Sequence, residues 1–492
     1  MSPQSSQRDL RAILRSRVPL VVIETRDEAR ARAMIVDLAR ESAAPAFEWA
    51  VTRGLRRVDT DLGSAQAFNA DPAKVLAWIS EGVPGIYILL DLHPYLVEPL
   101  NVRMLKDICQ GYDACPRTVV LISHQIEVPA ELEHLAVRFP MAFPNRAERR
   151  MIVEQVAGEW ASERGAGVQA DQDSVALLVE NLSGLSVTDT RRLARTAVYD
   201  DGVISRTDAP AVMKAKYDLL NRGGVLTFEY DTAPMADLAG MARLKAWLMR
   251  RRPAFDGSGP GLDPPKGVLL LGVQGCGKSL AARVAAGAFG VPLLRLDVAA
   301  VHDKYVGESE RRLRESLATA DVMAPCVVWI DEIEKGFATS DGDSGSSQRV
   351  LGTFLTWLAE RTGAVFVVAT ANDVTTLPPE LIRKGRFDEV FFVDLPDAEA
   401  RSEVLAIHAR RREVLLDAAQ VESLAAACEG FSGAEIEQVV VSAAYAAHAD
   451  GGPVNAEHLL QEIHATRPLS VVMAERIVAL RAWASGRTVP AN

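Results

Sequence analysis

Residues 272–279 read Gly-Val-Gln-Gly-Cys-Gly-Lys-Ser, a glycine-rich turn ending in a cation and a hydroxyl. An apolar run, GVLLLG, leads into it and a helical pattern, SLAARVAAGAFG, leads out. That context suits a phosphate cradle. Gly272, Gly275 and Gly277 let successive backbone N–H groups curl around phosphate oxygens, and the helix starting near Lys278 adds its positive end. The Lys278 ammonium would reach the β- and γ-phosphates, and the Ser279 hydroxyl would ligate Mg²⁺. The plain alternative is a turn that matches by chance; agreement of strand, loop and helix weighs against it.

Further on, CVVWIDE sets Asp331 and Glu332 at the end of a buried run. Alone, the pair reads as solvated loop acids. After a phosphate loop, Asp331 suits the metal's shell and Glu332 suits orienting and polarising a water. The next apolar run ends in Ala-Thr-Ala-Asn. There the Asn372 amide can bridge water and γ-phosphate, although a turn-forming Asn is the simpler reading of that residue alone. LIRKGRFDEV then places Arg383 and Arg386 three apart. Their fixed forks suit the charge on a transferring phosphoryl group, and equally a surface salt-bridge cluster. Together these residues imply hydrolysis of a nucleoside triphosphate with Mg²⁺ as cofactor.

The elements that must hold them follow from periodicity. Short β-branched or aliphatic runs at 267–272, 292–297, 326–331 and 364–370 alternate with helical segments, which predicts a parallel sheet covered on both faces. Residues 400–492 should form a separate helical lid. The first half repeats the order, with buried strands at 18–24, 85–91 and 118–124. VVLISHQIEVPAEL (119–132) resembles VFVVATANDVTTLPPEL (365–381), Arg138-Phe139 falls where Arg386-Phe387 falls, and NLSGLSVTDTRRL (181–193) resembles CEGFSGAEIEQV (428–439). An internal duplication is expected. The first copy lacks the phosphate loop: strand 18–24 runs into Thr-Arg-Asp-Glu, and Asp91 is followed by Leu92 where the second copy has Glu332. It can neither cradle phosphates nor activate water in the usual way. Arg138 reads more readily as a salt bridge than as a residual catalytic arginine, and His93 and His124, at strand ends, more readily as hydrogen-bonded loop histidines than as metal or ligand contacts. AFDGSGPGLDPP (254–265) reads as a linker, and ATSDGDSGSSQ (338–348) as an acidic loop without periodicity.

With 492 residues, about three units of roughly 150 residues are expected. The boundaries fall at 1–220, 221–398 and 399–492. A net charge of −11 argues against nucleic acid as a bulk electrostatic partner. Several arginines of the first forty residues alternate with acids, so RNA binding is a weak reading beside a solvated helix face. Five scattered cysteines without C-x-x-C spacing fit a reducing compartment. No stretch approaches the ~20 apolar residues of a membrane helix, so a cytoplasmic protein without a membrane partner is expected.

In order and spacing, PPKGVLLLG, the Asp331-Glu332 pair, ATAN, RKGRFD and EGFSGAE resemble the AAA subgroup of AAA+ ATPases, over about residues 237–445. The fold class implied is α/β: a P-loop NTPase sheet with a helical lid, preceded here by a degenerate AAA-like domain without Walker A. The resemblance makes Lys278 and Ser279 Walker A, with Leu280 next in the helix, Asp331 and Glu332 Walker B, and Asn372 sensor 1. It makes Arg383 and Arg386 arginine fingers reaching a neighbouring subunit's nucleotide, which implies a homo-oligomeric ring, usually a hexamer. Asp237, Leu238, Ala239 and Gly240 fall where the family contacts adenine, and Gly433 and Ala434 in its lid contact. HDKYVGE (302–308) resembles the first pore loop, so Tyr305 and Val306 would grip a protein client, with 338–348 as a second pore loop; a core-facing Tyr is the alternative. One departure is Cys276 in the loop, read as a small filler or, more sharply, a redox-sensitive thiol. Over the whole chain, VPLVVIET, LLDLHPYL (89–96) and VWIDEIEKG (328–336) resemble an AAA-domain family known from cyanobacteria, chloroplasts and other bacteria. ATP-driven remodelling of a protein client is the function implied; a nucleotide-switched scaffold and an RNA- or ribosome-associated ATPase are the alternatives.

Overall fold

The computed structural model describes all residues except 1–2, 61–68, 222–224, 230–231, 256–258, 260, 302–307, 338–343, 362 and 384. The chain divides into two compact units, Met1–Val212 and Met213–Asn492.

In the first unit, aliphatic and β-branched runs form β1 (Leu20–Glu24), β4 (Gly85–Leu90) and β5 (Arg117–Ser123). Their side chains alternate between two apolar layers: Leu20, Val22, Leu89 and Leu121 on one face, Val21, Ile23, Ile88 and Ile122 on the other. Burial on both faces explains why these strands read as continuous apolar runs. Three strands were not expected, β2 (Ala46–Ala50), β3 (Gly54–Arg57) and the short β6 (Ala136–Arg138). For β2 the reason is Glu48, which breaks its apolar pattern and is nevertheless 2% exposed, its carboxylate held by Arg32 and by Arg56 at 2.7 Å. With β6 the sheet runs β3-β2-β4-β5-β1-β6, parallel except for the β2–β3 pair.

The second unit contains β7 (Leu226–Glu229), β8 (Gly267–Gly272), β9 (Leu293–Leu296), β10 (Cys326–Ile330), β11 (Val365–Ala371), β12 (Glu389–Val393) and β13 (Val489–Pro490). Its order is β13-β12-β8-β11-β10-β9-β7. Its five central parallel strands β12-β8-β11-β10-β9 repeat the order of β6-β1-β5-β4-β2, and each set ends on an antiparallel edge strand, which follows β2 in the first unit but precedes β8 in the second. The wholly parallel sheet expected here is corrected by β7.

Each sheet is followed by helices with the same brace. In the first unit these are α2 (Arg146–Arg164), α3 (Gln172–Asn181) and α4 (Val187–Tyr199), after α1 (Glu28–Glu41) between β1 and β2. The buried Arg149 donates to Val179 O at 2.8 Å and Pro144 O at 2.9 Å. In the second unit α5 (Ala242–Phe255), α6 (Lys278–Phe289), α7 (Glu308–Met323) and α8 (Ser344–Glu360) cover the sheet. The lid is α9 (Ala398–Arg411), α10 (Ala418–Ala427), α11 (Gly433–Ala449) and α12 (Ala456–Ala465). There Arg401 donates to Ala425 O at 2.8 Å and Pro396 O at 3.1 Å, the same two-carbonyl brace.

Three sequence expectations need correction. The lid does not extend over all of 399–492. Ile477 and Leu480 of α13 (Ala474–Ala484) sit in the apolar layer beneath β8, and β13 pairs with Phe391 and Phe392. The segment 338–348 is not loop throughout, since α8 begins at Ser344. Arg138 is not the counterpart of Arg386. It lies within β6, opposite Val22, and donates to Glu24 Oε1 at 2.7 Å, whereas Arg386 precedes β12.

Candidate nucleotide site

The loop after β8 turns only because its glycines permit it. At Gly272, with φ +148°, an added Cβ would lie 1.9 Å from Val393 O. At Gly277, φ +85° supplies the left-handed residue from which α6 starts. Lys278 is therefore the first residue of α6. Its side chain folds back over the loop, and Nζ donates to Gly272 O at 2.9 Å and Val273 O at 2.7 Å. Lys278 is 6% exposed, and burial pulls its ammonium down to about 8. A buried cation whose hydrogen bonds end on neutral carbonyls fits an anionic ligand.

Parallel register carries the remaining groups to the same place. Ser279 Oγ donates to Asp331 Oδ1 at 3.1 Å. Thr370 Oγ1 donates to that same oxygen at 2.6 Å and accepts from Glu332 N at 3.0 Å. Thr370 was missed by the sequence reading, although its hydroxyl stands two residues before Asn372. Among the described residues no cluster of three or more His, Cys, Asp or Glu gathers. Mg²⁺ needs none, since one or two protein oxygens commonly suffice beside phosphates and water. The hydroxyl of Ser279 and carboxylate of Asp331 fit that pattern.

Glu332 has φ +50°, which turns its side chain off the strand end. Its Oε1 accepts from Asn372 Nδ2 at 3.0 Å, and Oε2 pairs with Lys335 Nζ at 2.5 Å. Behind it, the buried Glu334 accepts from Asn372 N at 2.9 Å. Burial raises the Glu334 carboxyl above its usual range.

Lys278, Ser279, Asp331, Glu332, Thr370 and Asn372 line a cavity of about 720 Å³. Gly275, Cys276, Leu280, Gly433, Ala434 and the segment Asp237–Gly240 line it too. Ala434 N donates to Gly275 O at 2.9 Å, joining α11 to the loop. The lid contributes Val404, Ile407, His408 and Arg411 from one face of α9, and Arg411 pairs with Asp237 at 2.7 Å. These were missed; their helical spacing was the available signal. Cys276 is buried, and burial pushes its thiol up to about 12. Burial and the raised thiol favour the small-filler reading over a redox-sensitive one, because thiolate is the reactive form.

Arg383 and Arg386 do not line the cavity. Arg383 is exposed, while Arg386 is half-buried, with its Nη1 lacking a hydrogen-bond partner among the described residues. Tyr305 and Val306 lie outside the described residues.

In the first unit the corresponding place is built differently. Ser123 Oγ donates to Asp91 Oδ1 at 2.7 Å, as Thr370 does to Asp331. No glycine loop precedes α1. Instead the buried Asp27 accepts from Val187 N at 3.1 Å and Thr188 Oγ1 at 3.4 Å, so a carboxylate of the chain itself caps the start of α4.

Comparison with known proteins agrees with this geometry. Residues 268–395 match the model of the ATPase family associated with various cellular activities (AAA), and 418–461 that of the AAA+ lid domain. Residues 6–141 and 147–223 match the N-terminal and second domains of SpoVK-like AAA ATPases. The uncharacterized AAA domain-containing protein ycf46 of Pyropia yezoensis is 31% identical over 97% of each chain. The chain belongs to the ycf46 family of AAA-domain proteins. Its Guillardia theta relative is 32% identical, over 97% of this chain and 94% of that one. The proteasome-activating nucleotidase of Aeropyrum pernix is 39% identical over 39% of this chain and 49% of its own. The fold is thus that of an AAA+ P-loop ATPase with its lid, behind an AAA-like N-terminal domain. Among the described residues no helix is long and apolar enough to cross a membrane.

Proposed function

We propose that the second unit binds ATP with Mg²⁺, hydrolyses it to ADP and phosphate, and in a homo-oligomeric ring couples that cycle to remodelling a protein partner. The observation that carries this reading is convergence. The buried Lys278, the Ser279–Asp331–Thr370 cluster and the Glu332–Asn372 pair face one cavity. Lys278 and the loop amides bind the β- and γ-phosphates. Ser279 and Asp331 would hold Mg²⁺, which when bound offsets phosphate charge. Glu332 accepts the proton of the water whose oxygen bonds to the γ-phosphorus while the bond to ADP breaks, and Asn372 keeps its carboxylate turned toward that water. Arg383 and Arg386 serve as fingers for an adjacent subunit; such a residue contributes about 10³–10⁵ in rate. Membership of an ATPase family and the stretch resembling proteasome-activating nucleotidase support the reading. A cytoplasmic location, with Tyr305 and Val306 gripping the client, completes it.

The test measures Mg-dependent adenine-nucleotide binding and phosphate release. Lys278→Ala should abolish binding, and Glu332→Gln should bind and fail to turn over. Wild-type protein without Mg-dependent affinity for adenine nucleotides would sink the proposal.

The latched first unit supports a second reading, a nucleotide-switched scaffold that docks its partner without needing turnover. A scaffold retains its partner in the Glu332→Gln form; a motor stalls on it. RNA binding finds little support, because Arg11, Arg32 and Arg40 are paired with Glu41, Glu48 and Asp37.

A further inference from the structure

Residues 489–492 build a wall of the nucleotide cavity. The strand β13 extends the sheet beside Phe391 and Phe392, and Ala491 N donates to Phe392 O at 2.9 Å. Ala491 O then accepts from Arg243 N at 3.0 Å and Leu244 N at 3.2 Å, capping the two amides at the start of α5. Its methyl group is 3% exposed within the apolar layer below β8. This is a docked segment, held by backbone bonds on two sides.

Asn492 continues from it into the cavity lining. Its Oδ1 accepts from Met241 N, and its Nδ2 donates to Asp397 Oδ2 at 3.2 Å. Asp397 is the N-cap of the lid helix α9, accepting from Ala400 N at 2.9 Å. Met241 and Gly240 have φ of +52° and +59°, a turn that does not hold itself. An added Cβ at Gly240 would lie 3.0 Å from Asn492 Oδ1, so the side chain is packed against the turn. Asn492 therefore spans from the turn that ends Asp237–Gly240 to the first residue of the lid.

We infer that Asn492 is a positioning residue for adenine-nucleotide recognition: it fixes the Asp237–Met241 turn against the lid, and so sets the affinity for the base rather than for the phosphates. The inference rests on the proposed reading of Asp237–Gly240 as the base-contacting segment. It makes residues 489–492 part of the ligand site, although they lie far along the chain from the phosphate loop.

The test compares two probes, ADP and inorganic tripolyphosphate, the second carrying no base. In Asn492→Ala, ADP affinity should fall about tenfold, the size of a hydrogen bond to a charged group, and tripolyphosphate affinity should hold within about twofold. KM for ATP should rise with kcat nearly constant. Combining Asn492→Asp with Asp397→Asn reverses donor and acceptor, keeps the cap on Ala400 and restores ADP affinity. Equal losses for both probes, or no loss for either, would overturn the inference, as would failure of the paired exchange in protein that melts like wild type. If wild type binds neither ADP nor tripolyphosphate, the proposed function has failed first; Lys278→Ala, expected to lose both, marks that case.

Discussion

Lys278 sits where burial and ligand charge pull its proton in opposite directions. Burial lowers the ammonium to about 8 from a usual 10.5, and a phosphate beside it restores the charged form. Between those values the nucleotide-free protein holds fewer protons on this residue than the complex does. Binding therefore takes up protons, and affinity falls as pH rises through about 8. Calorimetry in buffers of different ionisation enthalpy should show that uptake at pH 8 to 9 and its near absence at pH 7. The same shift acts on stability with the opposite slope. The unfolded chain binds the extra proton, so this residue's penalty is full below about 8 and is relieved on going up toward 10.5. Glu332 offers a second test. Lys335 neutralises one of its oxygens, and Asn372 holds the other. Lys335→Ala leaves a freer base, so phosphate release should rise about two- to fivefold, the scale of an exposed pair, with nucleotide affinity unchanged. A fall in turnover would show that Lys335 aids the reaction instead.

At the scale of elements, the two sheets show what sequence could and could not convey. The strands β1, β4, β5, β8, β10 and β11 were legible because burial on both faces leaves uninterrupted apolar runs. The phosphate loop was legible because its glycines and Lys278 answer to local geometry. β2 was hidden by Glu48, whose charge is neutralised by arginines from elsewhere in the fold. The return of β13 was hidden because a two-residue strand carries no periodicity; its place is fixed by Phe392 and the amides of α5. Thr370 and the α9 face escaped because their roles appear only when distant segments meet. Asp27 was read only as the lack of a loop, yet its carboxylate joins α1 to the start of α4. Removing it takes the acceptor from a half-buried N–H at a helix start, so Asp27→Ala should destabilise the first unit by about 1 kcal/mol. Urea unfolding followed by tryptophan fluorescence would measure this, and an unchanged midpoint would contradict the bridge.

Taken whole, the chain carries two similar sheets and, among the described residues, one cavity lined by a glycine loop and a buried lysine. The first unit keeps the hydroxyl–carboxylate pair of Ser123 and Asp91 without a phosphate loop above it. Equilibrium titration should therefore saturate at one nucleotide per chain in wild type and at none in Lys278→Ala. A second site surviving in Lys278→Ala would place nucleotide in the first unit.

The bond from Ala434 N to Gly275 O turns one amide into a clock for the cycle. That proton is hidden only while α11 rests on the loop, so deuterium should enter there at a rate that changes when ADP is added. At the matching helix start of the first unit, the amide of Val187 donates to Asp27 and should exchange at one unvarying pace. Mass spectrometry of the two peptides would give, within a single polypeptide, a moving hand and its fixed reference.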